Sequence, residues 1–296
     1  MGVYIRKTDG MPGMREALQK LAGISEFEAY RFFDDFAGFH KEYDAYKVIH
    51  PEGTLILKKT DDSRQAETEQ KIYRMCQGLC VPHFYGSSDG YMLTEYIAGT
   101  DLKSPSNAGI RAAGISLAEI MNAFPPGRDY DRSDSERDLA YKMKQTEYLC
   151  REPLLLRAYG LLLERLGSIP LTLVNGDLVP INCIYTGEKV YLIDWEYGGF
   201  YPYSYDIARF MAHSGETGKE TYRLSAEQKQ LFVQTIYDNL NEKPDRNMFE
   251  RDIRLAVLHE YAVILRDYLK DPEKPRDEVF GMYYEKASEL ARELLQ

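Results

Sequence analysis

The chain has 296 residues, 44% of them hydrophobic and 28% charged, with a formal net charge of -10. That length accommodates two domains or two lobes with sizeable cores, and the composition is ordinary for a soluble globular enzyme. With no strong basic patch, the acidity argues against a nucleic-acid partner; it is compatible with a cationic small molecule. Cys76, Cys80, Cys150 and Cys183 form neither a disulfide framework nor paired zinc half-sites. The first residues lack the apolar core of a signal peptide, and no run approaches the roughly 18 apolar residues of a membrane span. A reducing cytoplasm is the expected location, with no membrane partner.

In chain order, Met14, Leu18, Leu21 and Ala22 recur at helical spacing after Pro12-Gly13, so a helix is expected over about residues 10–30. From Phe32 the pattern turns to strands. Residues 36–49 read as strand, turn and strand, Pro51-Glu52-Gly53 as the next turn, and 54–59 as a third strand. Alternation along that strand puts Ile56 and Lys58 on one face, and Leu55, Leu57 and Lys59 on the other. A helix over about 64–77 follows, then strands over 81–86 and 91–97. Ala98-Gly99-Thr100 breaks the pattern and suits a hinge. Helical spacing then covers 110–121 and 140–166, separated by a polar, Pro/Gly-rich loop over 124–135. After the segment described next, helices are expected over 207–212, 226–239, 249–268 and 282–295. No internal repeat or low-complexity tract interrupts the order.

One short stretch concentrates residues that carry chemistry. Asp177, Asn182 and Asp194 surround what reads as a hairpin: strand 181–185, a turn over Thr186-Gly187-Glu188-Lys189, and strand 190–193. Phosphoryl transfer needs an Asp facing the acceptor hydroxyl and oxygen ligands converging on Mg²⁺. A step of five residues lets one loop carry both Asp177 and Asn182, while the apolar strand delivers Asp194 at its end. Each Asp alone reads as an ordinary cap or turn residue. Their order and spacing together point to a kinase active site.

With these residues in place, the chain resembles the aminoglycoside phosphotransferase and choline kinase superfamily. Three separated motifs carry the resemblance: Asn175-Gly176-Asp177 with Asn182, Ile193-Asp194-Trp195-Glu196-Tyr197, and Tyr205-Asp206-Ile207-Ala208. It spans about residues 36–212. The resemblance implies an α+β, protein-kinase-like bilobal fold, with a small antiparallel-sheet lobe over 1–97 and a larger, mainly helical lobe over 98–296. It makes Asp177 the catalytic base or hydroxyl-orienting residue and assigns magnesium to Asn182 and Asp194. Lys58, in Leu55-Ile56-Leu57-Lys58, resembles the lysine that contacts the nucleotide α- and β-phosphates, with Lys59 as its rival. Glu69 best fits its carboxylate partner, with Glu67 as rival, and backbone groups of Glu95, Tyr96 and Ile97 resemble the segment that reads the adenine edge. The implied cofactors are ATP, or GTP, and Mg²⁺. Gly38 to Tyr43 takes the nucleotide-loop position but carries one Gly, which by itself is no evidence of phosphate binding. Asp206 is expected to hold the catalytic loop by hydrogen bonds.

Asn175 departs from the family, which has His there. That His acts chiefly as a scaffold, and Asn can donate and accept similar bonds. The expected function is therefore an ATP- and Mg-dependent phosphotransferase acting on a hydroxyl of a small molecule. A choline- or ethanolamine-like acceptor would use an aromatic cage, for which Tyr197, Tyr201, Tyr203, Tyr205 and Tyr261 are candidates. An aminoglycoside-like acceptor would use carboxylates, such as Asp129, Asp131, Asp134, Glu136, Asp138 and Glu260, although such a cluster also reads as a solvated loop. The alternative function is a catalytically silent nucleotide-binding protein or scaffold.

Overall fold

The computed structural model describes residues 3–36, 39–60, 63–149, 151–218, 220–271 and 273–296. Strand β1 (Val3–Thr8) precedes helix α1 (Met14–Ala22), followed by β2 (Glu28–Phe36), β3 (Phe39–His50), β4 (Gly53–Lys59), α2 (Arg64–Met75), β5 (Phe84–Ser88) and β6 (Tyr91–Glu95). The six strands form one antiparallel sheet in the order β1-β2-β3-β4-β6-β5, with α2 between the fourth and fifth strands.

Two features of this region differ from the sequence expectation. The helix expected over 10–30 stops at Ala22, because Gly23 adopts φ 70° and its N–H and that of Ile24 turn back onto the Gln19 and Leu18 carbonyls. β1 was not anticipated: it is an edge strand with Tyr4 and Ile5 exposed, so it carries little burial signal. Strand continues unbroken over Phe39–His50, and residues 37 and 38 between β2 and β3, the second of them in the nucleotide-loop segment, lie outside the described residues. Met14, Ala17 and Leu18 of α1 pack on the sheet face formed by Tyr46, Val48, Leu55, Leu57 and Leu93. Lys58, alternate to Leu57, therefore points to the opposite face.

Past Glu95 the chain enters β7 (Thr100–Asp101), then α3 (Asn107–Ala123), α4 (Ser133–Leu149), α5 (Pro153–Leu166) and β8 (Leu171–Val174). A single 3₁₀ turn (Pro180–Asn182) leads into β9 (Cys183–Tyr185) and β10 (Val190–Leu192), the hairpin read from the sequence. β11 (Gly199–Pro202), α6 (Ser204–Ala212), β12 (Ser214–Gly215), β13 (Tyr222–Arg223), α7 (Ala226–Asn239), α8 (Arg246–Leu269) and α9 (Glu278–Leu294) complete the order. Of the one or two helices expected over 140–166, two form, since Pro153 begins α5 at its first turn. The acidic stretch expected as loop lies partly in α4, where Asp134 and Glu136 occupy the first turn at the positive end of the helix dipole. The expected hinge is pinned on its far side: Thr100 and Asp101 pair with Tyr185 and Ile184 of β9.

The larger apolar core is built from α3, α5, α6, α8, α9 and the hairpin, and it reaches into the sheet region. Ile72, Tyr73 and Cys76 of α2 and its C-cap, with Cys80, Val81, Phe84 and Met92, belong to the same cluster as Trp195, Phe210 and Leu258. The Leu192 N–H donates to the Cys80 carbonyl at 2.8 Å. Cys76, Cys80 and Cys183 are buried free thiols, and Cys150 lies outside the described residues. Among the described residues no helix is long and apolar enough to cross a membrane.

Candidate active site

The site forms where three elements meet: strand β4, helix α2 and the β9–β10 hairpin. Lys58 leaves the sheet on the face turned toward the hairpin. Its Nζ lies 2.8 Å from Glu69 Oε2, 2.7 Å from Asp194 Oδ1 and 3.5 Å from Glu196 Oε2. Glu69 is buried on α2, one and a half turns from the Ser63 cap, whereas Glu67 is exposed, as is Lys59. Burial opposes the Lys58 charge, but the Glu69 and Asp194 carboxylates outweigh it and hold the ammonium above its ordinary range. Burial pushes Glu69 the other way for a carboxyl, up to about 7, with Lys58 only partly offsetting it. One ammonium shared by three carboxylates leaves an excess of negative charge, and the most buried acid carries that cost.

Asp194 sits in the left-handed region at φ 60°, an uncommon conformation for a residue with a side chain. Its side chain remains 40% exposed, so it opens to the cleft. Trp195 next to it is fully buried and donates its indole N–H to the Leu192 carbonyl at 3.0 Å, which fixes the turn from below. Carboxylate oxygens of Glu69, Asp194 and Glu196 all lie within 4.8 Å of one another, and among the described residues they are the group of acidic, His or Cys side chains close enough to share a cation. This all-oxygen set suits a hard divalent ion. Glu196 is the addition to the residues expected from sequence, and its place two residues after Asp194 was the available signal. Asn182 accepts the Ile193 N–H on its carbonyl at 3.0 Å, so it lies beside the residue preceding Asp194. Its side-chain amide donates to the Asp177 carbonyl at 2.9 Å and braces the loop between the two.

The loop from 175 to 177 is held from two sides. Asn175 is fully buried; its amide donates to the Ile193 and Asp194 carbonyls at 3.1 and 3.2 Å, and its Oδ1 accepts the Asp177 N–H at 3.1 Å. A short amide thus spans from the loop to the backbone of Asp194. Asp206, at the start of α6, accepts the N–H groups of Asn175 and Gly176 at 2.7 and 3.0 Å. Gly176 has φ 82°, and a Cβ there would run into the Tyr197 carbonyl, so glycine is required on both counts.

Asp177 itself meets a residue that the sequence reading did not single out. Arg209, one helical turn after Asp206, donates from Nε and Nη2 to Asp177 Oδ1 at 2.9 and 2.8 Å. A single Arg in the otherwise apolar run Ile207-Ala208-Arg209-Phe210-Met211 was the available signal. Its Nη1 donates to Glu260 Oε2 at 2.7 Å.

The residues considered for the acceptor have varied surroundings. Tyr203 and Tyr261 are core residues: Tyr203 donates to Asp252 and stacks on Phe249, while Tyr261 packs against Tyr283. Tyr197 is half exposed, and Tyr201 stacks on Tyr205. The Lys142 ammonium lies 4.4 Å over the Tyr205 ring and pairs with Asp138 at 2.6 Å. Asp134 pairs with Arg64 of α2 and with Arg137. At the far end of β6, the Glu95 N–H donates to the His83 carbonyl at 2.9 Å and its Oε2 accepts the His83 N–H at 3.1 Å, and Ile97 follows two residues beyond. Glu95 stands three residues from Met92, the partner of Lys58 across the strands, or about 10 Å along the sheet.

A small antiparallel sheet accompanied by α1 and α2, joined to a mainly helical body whose hairpin brings carboxylates to a sheet lysine, defines a protein-kinase-like phosphotransferase fold. The chain belongs to the phosphotransferase enzyme family, whose model matches residues 35–240. In fold it is similar to the choline kinase LicA of Streptococcus pneumoniae, with TM-score 0.59, 15% identity, and coverage of 93% of this chain and 97% of that one. An ethanolamine kinase of Plasmodium vivax aligns with TM-score 0.55 and 15% identity over 88% of this chain and 83% of that one. The streptomycin-ATP-APH(2")-IIa ternary complex aligns with TM-score 0.56 and 16% identity over 91% and 93%. No curated protein matches the chain by sequence.

Proposed function

We propose that this protein is an ATP- and Mg²⁺-dependent kinase that phosphorylates a hydroxyl of a small molecule. The observation that carries the reading is the convergence of Lys58, Glu69, Asp194 and Glu196, with Asn182 alongside and Asp177 one loop away. In this reading residues 1–97 hold the nucleotide, with the Glu95 to Ile97 backbone at the adenine edge and Lys58 on the α- and β-phosphates, kept in place by Glu69. Residues 98–296 supply the catalytic hairpin and the acceptor pocket. Asn182 and Asp194 hold Mg²⁺, and Glu196 is placed to assist them; when bound, the ion neutralises charge on the phosphate oxygens. Asp177 orients the acceptor hydroxyl in line and takes its proton. The bonds made by Asn175 favour an active enzyme over a silent scaffold, because they tie the Asp177 loop to the Asp194 backbone. Buried free thiols suit a reducing cytoplasm.

The named relatives suggest choline- or ethanolamine-like and aminoglycoside-like acceptors as the first to try. The test is coupled ADP detection with Mg-ATP and Mg-GTP against choline, ethanolamine, aminoglycosides and sugars. Acceptor-dependent ADP release is expected from the wild type, and Asp177→Ala should lower it by orders of magnitude, to a small residual rate, while Mg-ATP still binds. Full activity in that variant, or no transfer to any acceptor class by the wild type, would overturn the reading.

A further inference from the structure

We propose that Arg209 is a positioning residue for Asp177, holding one carboxylate oxygen so that the other faces the acceptor hydroxyl; this rests on the kinase reading of the site. An arginine fork facing a carboxylate commonly spans both oxygens. Here Nε and Nη2 both donate to Oδ1, and among the described residues no other side chain bonds the Asp177 carboxylate. Oδ2 is thereby left for the reacting hydroxyl, and the torsion that would swing it away is blocked by two charge-assisted bonds.

The fork is itself fixed by a relay across three helices. Arg209 on α6 donates Nη1 to Glu260 on α8 at 2.7 Å. His213, one turn further along α6, places Nε2 3.1 Å from the same Glu260 oxygen, and its Nδ1 lies 3.1 Å from the Tyr283 hydroxyl of α9. His213 Nε2 also lies 2.9 Å from Arg209 Nη1, so this ring nitrogen bridges the guanidinium and Glu260: as Nε2–H it donates to Glu260, and as a bare nitrogen it accepts from Arg209 while Nδ1–H donates to the Tyr283 hydroxyl. Glu260 is mostly buried, yet the His213 hydrogen bond and the Arg209 charge keep its carboxyl well below the usual range. An exposed Arg–Asp pair would be held loosely; this one is braced from behind by a buried anion. Near-attack geometry is sensitive to such bracing, since a displacement of about 1 Å at a reacting group costs on the order of 100-fold in rate.

The proposal predicts a split between turnover and nucleotide affinity, and a dependence on Asp177. Arg209→Gln should lower kcat on the order of 100-fold, with KM for Mg-ATP within about twofold of wild type, because Arg209 contacts none of the residues assigned to the nucleotide. Arg209→Lys should recover part of the loss, since an ammonium keeps the charge without the fork. In an Asp177→Ala background, Arg209→Gln should add less than about twofold, because the group it positions is gone. Arg209→Gln alone leaves Glu260 without its cation, so Arg209→Gln with Glu260→Gln removes that burden on folding and should show the same loss of kcat. Turnover by the wild type that falls equally for Arg209→Gln with or without Asp177, or a change confined to KM, overturns the proposal and leaves the kinase reading standing. Absence of turnover in the wild type overturns both.

Discussion

Asp206 accepts two backbone N–H groups from the loop that carries Asp177, yet it is buried, and among the described residues no cation pairs with it. Burial pushes its carboxyl up to about 7, against those two donors. The ordinary value for the unfolded chain is 3.8. Between the two values the folded protein holds a proton that the unfolded chain has released. This group's contribution to stability is therefore full below about pH 4 and is lost as pH rises to about 7, a change of roughly 4 kcal/mol for a fully buried acid. Thermal unfolding of the wild type should accordingly show a Tm that declines from about pH 5 to about pH 7.5, and Asp206→Asn, which cannot titrate, should flatten that decline. Parallel curves for the two proteins would show that Asp206 does not titrate in this range.

At the scale of elements, α3 and α7 pack so closely that Gly114 has no room for a methyl group. A Cβ there would lie 2.9 Å from Thr235 Cβ and 3.2 Å from the Phe232 carbonyl. Gly114→Ala should cost about 1–3 kcal/mol of stability through overpacking, read as a lower Tm or denaturant midpoint. Adding Thr235→Ala should restore part of the loss. The kcat of folded Gly114→Ala should match wild type, because the crossing touches none of the cleft residues; a deeply reduced kcat would mean that this helix pair shapes the site. Such a crossing was not legible in the sequence, where helical periodicity says that 110–121 and 226–239 are helices and nothing about which faces meet. The hairpin was legible because its polar residues stand at fixed steps among apolar strand residues. So was Lys58 with Glu69, through the family resemblance: a lysine follows the apolar Leu55-Ile56-Leu57, and Glu69 precedes apolar residues on the next helix. Arg209 was missed for a physical reason: its role depends on Glu260, His213 and Tyr283, which come from two other helices and converge only in the fold. β1 was missed because an exposed edge strand has no apolar alternation to announce it, and the overrun of α1 came from weighing helical spacing above the stop signal at Gly23.

For the molecule as a whole, the carboxylates of Glu69, Asp194 and Glu196 gather around Lys58, and Mg-ATP should bind where they converge. Binding to the folded state alone stabilises it by about 2.7 kcal/mol at a ligand concentration 100 times Kd. A thermal-shift titration should therefore raise the wild-type Tm with Mg-ATP more than with ATP in the presence of a chelator. Asp194→Asn keeps a residue type that tolerates the left-handed conformation and removes the charge, so it should abolish the difference between the two conditions. An equal magnesium-dependent shift in that variant would move the metal site elsewhere.

The bond from Leu192 to the Cys80 carbonyl, together with the apolar cluster that α2 shares with the helical body, has a mechanical consequence. The C-terminal end of α2 is packed into one apolar cluster with the catalytic hairpin, so the two should move together. Lys58 reaches Glu69 and Asp194 from β4, and its ammonium is the link between that strand and the acidic residues.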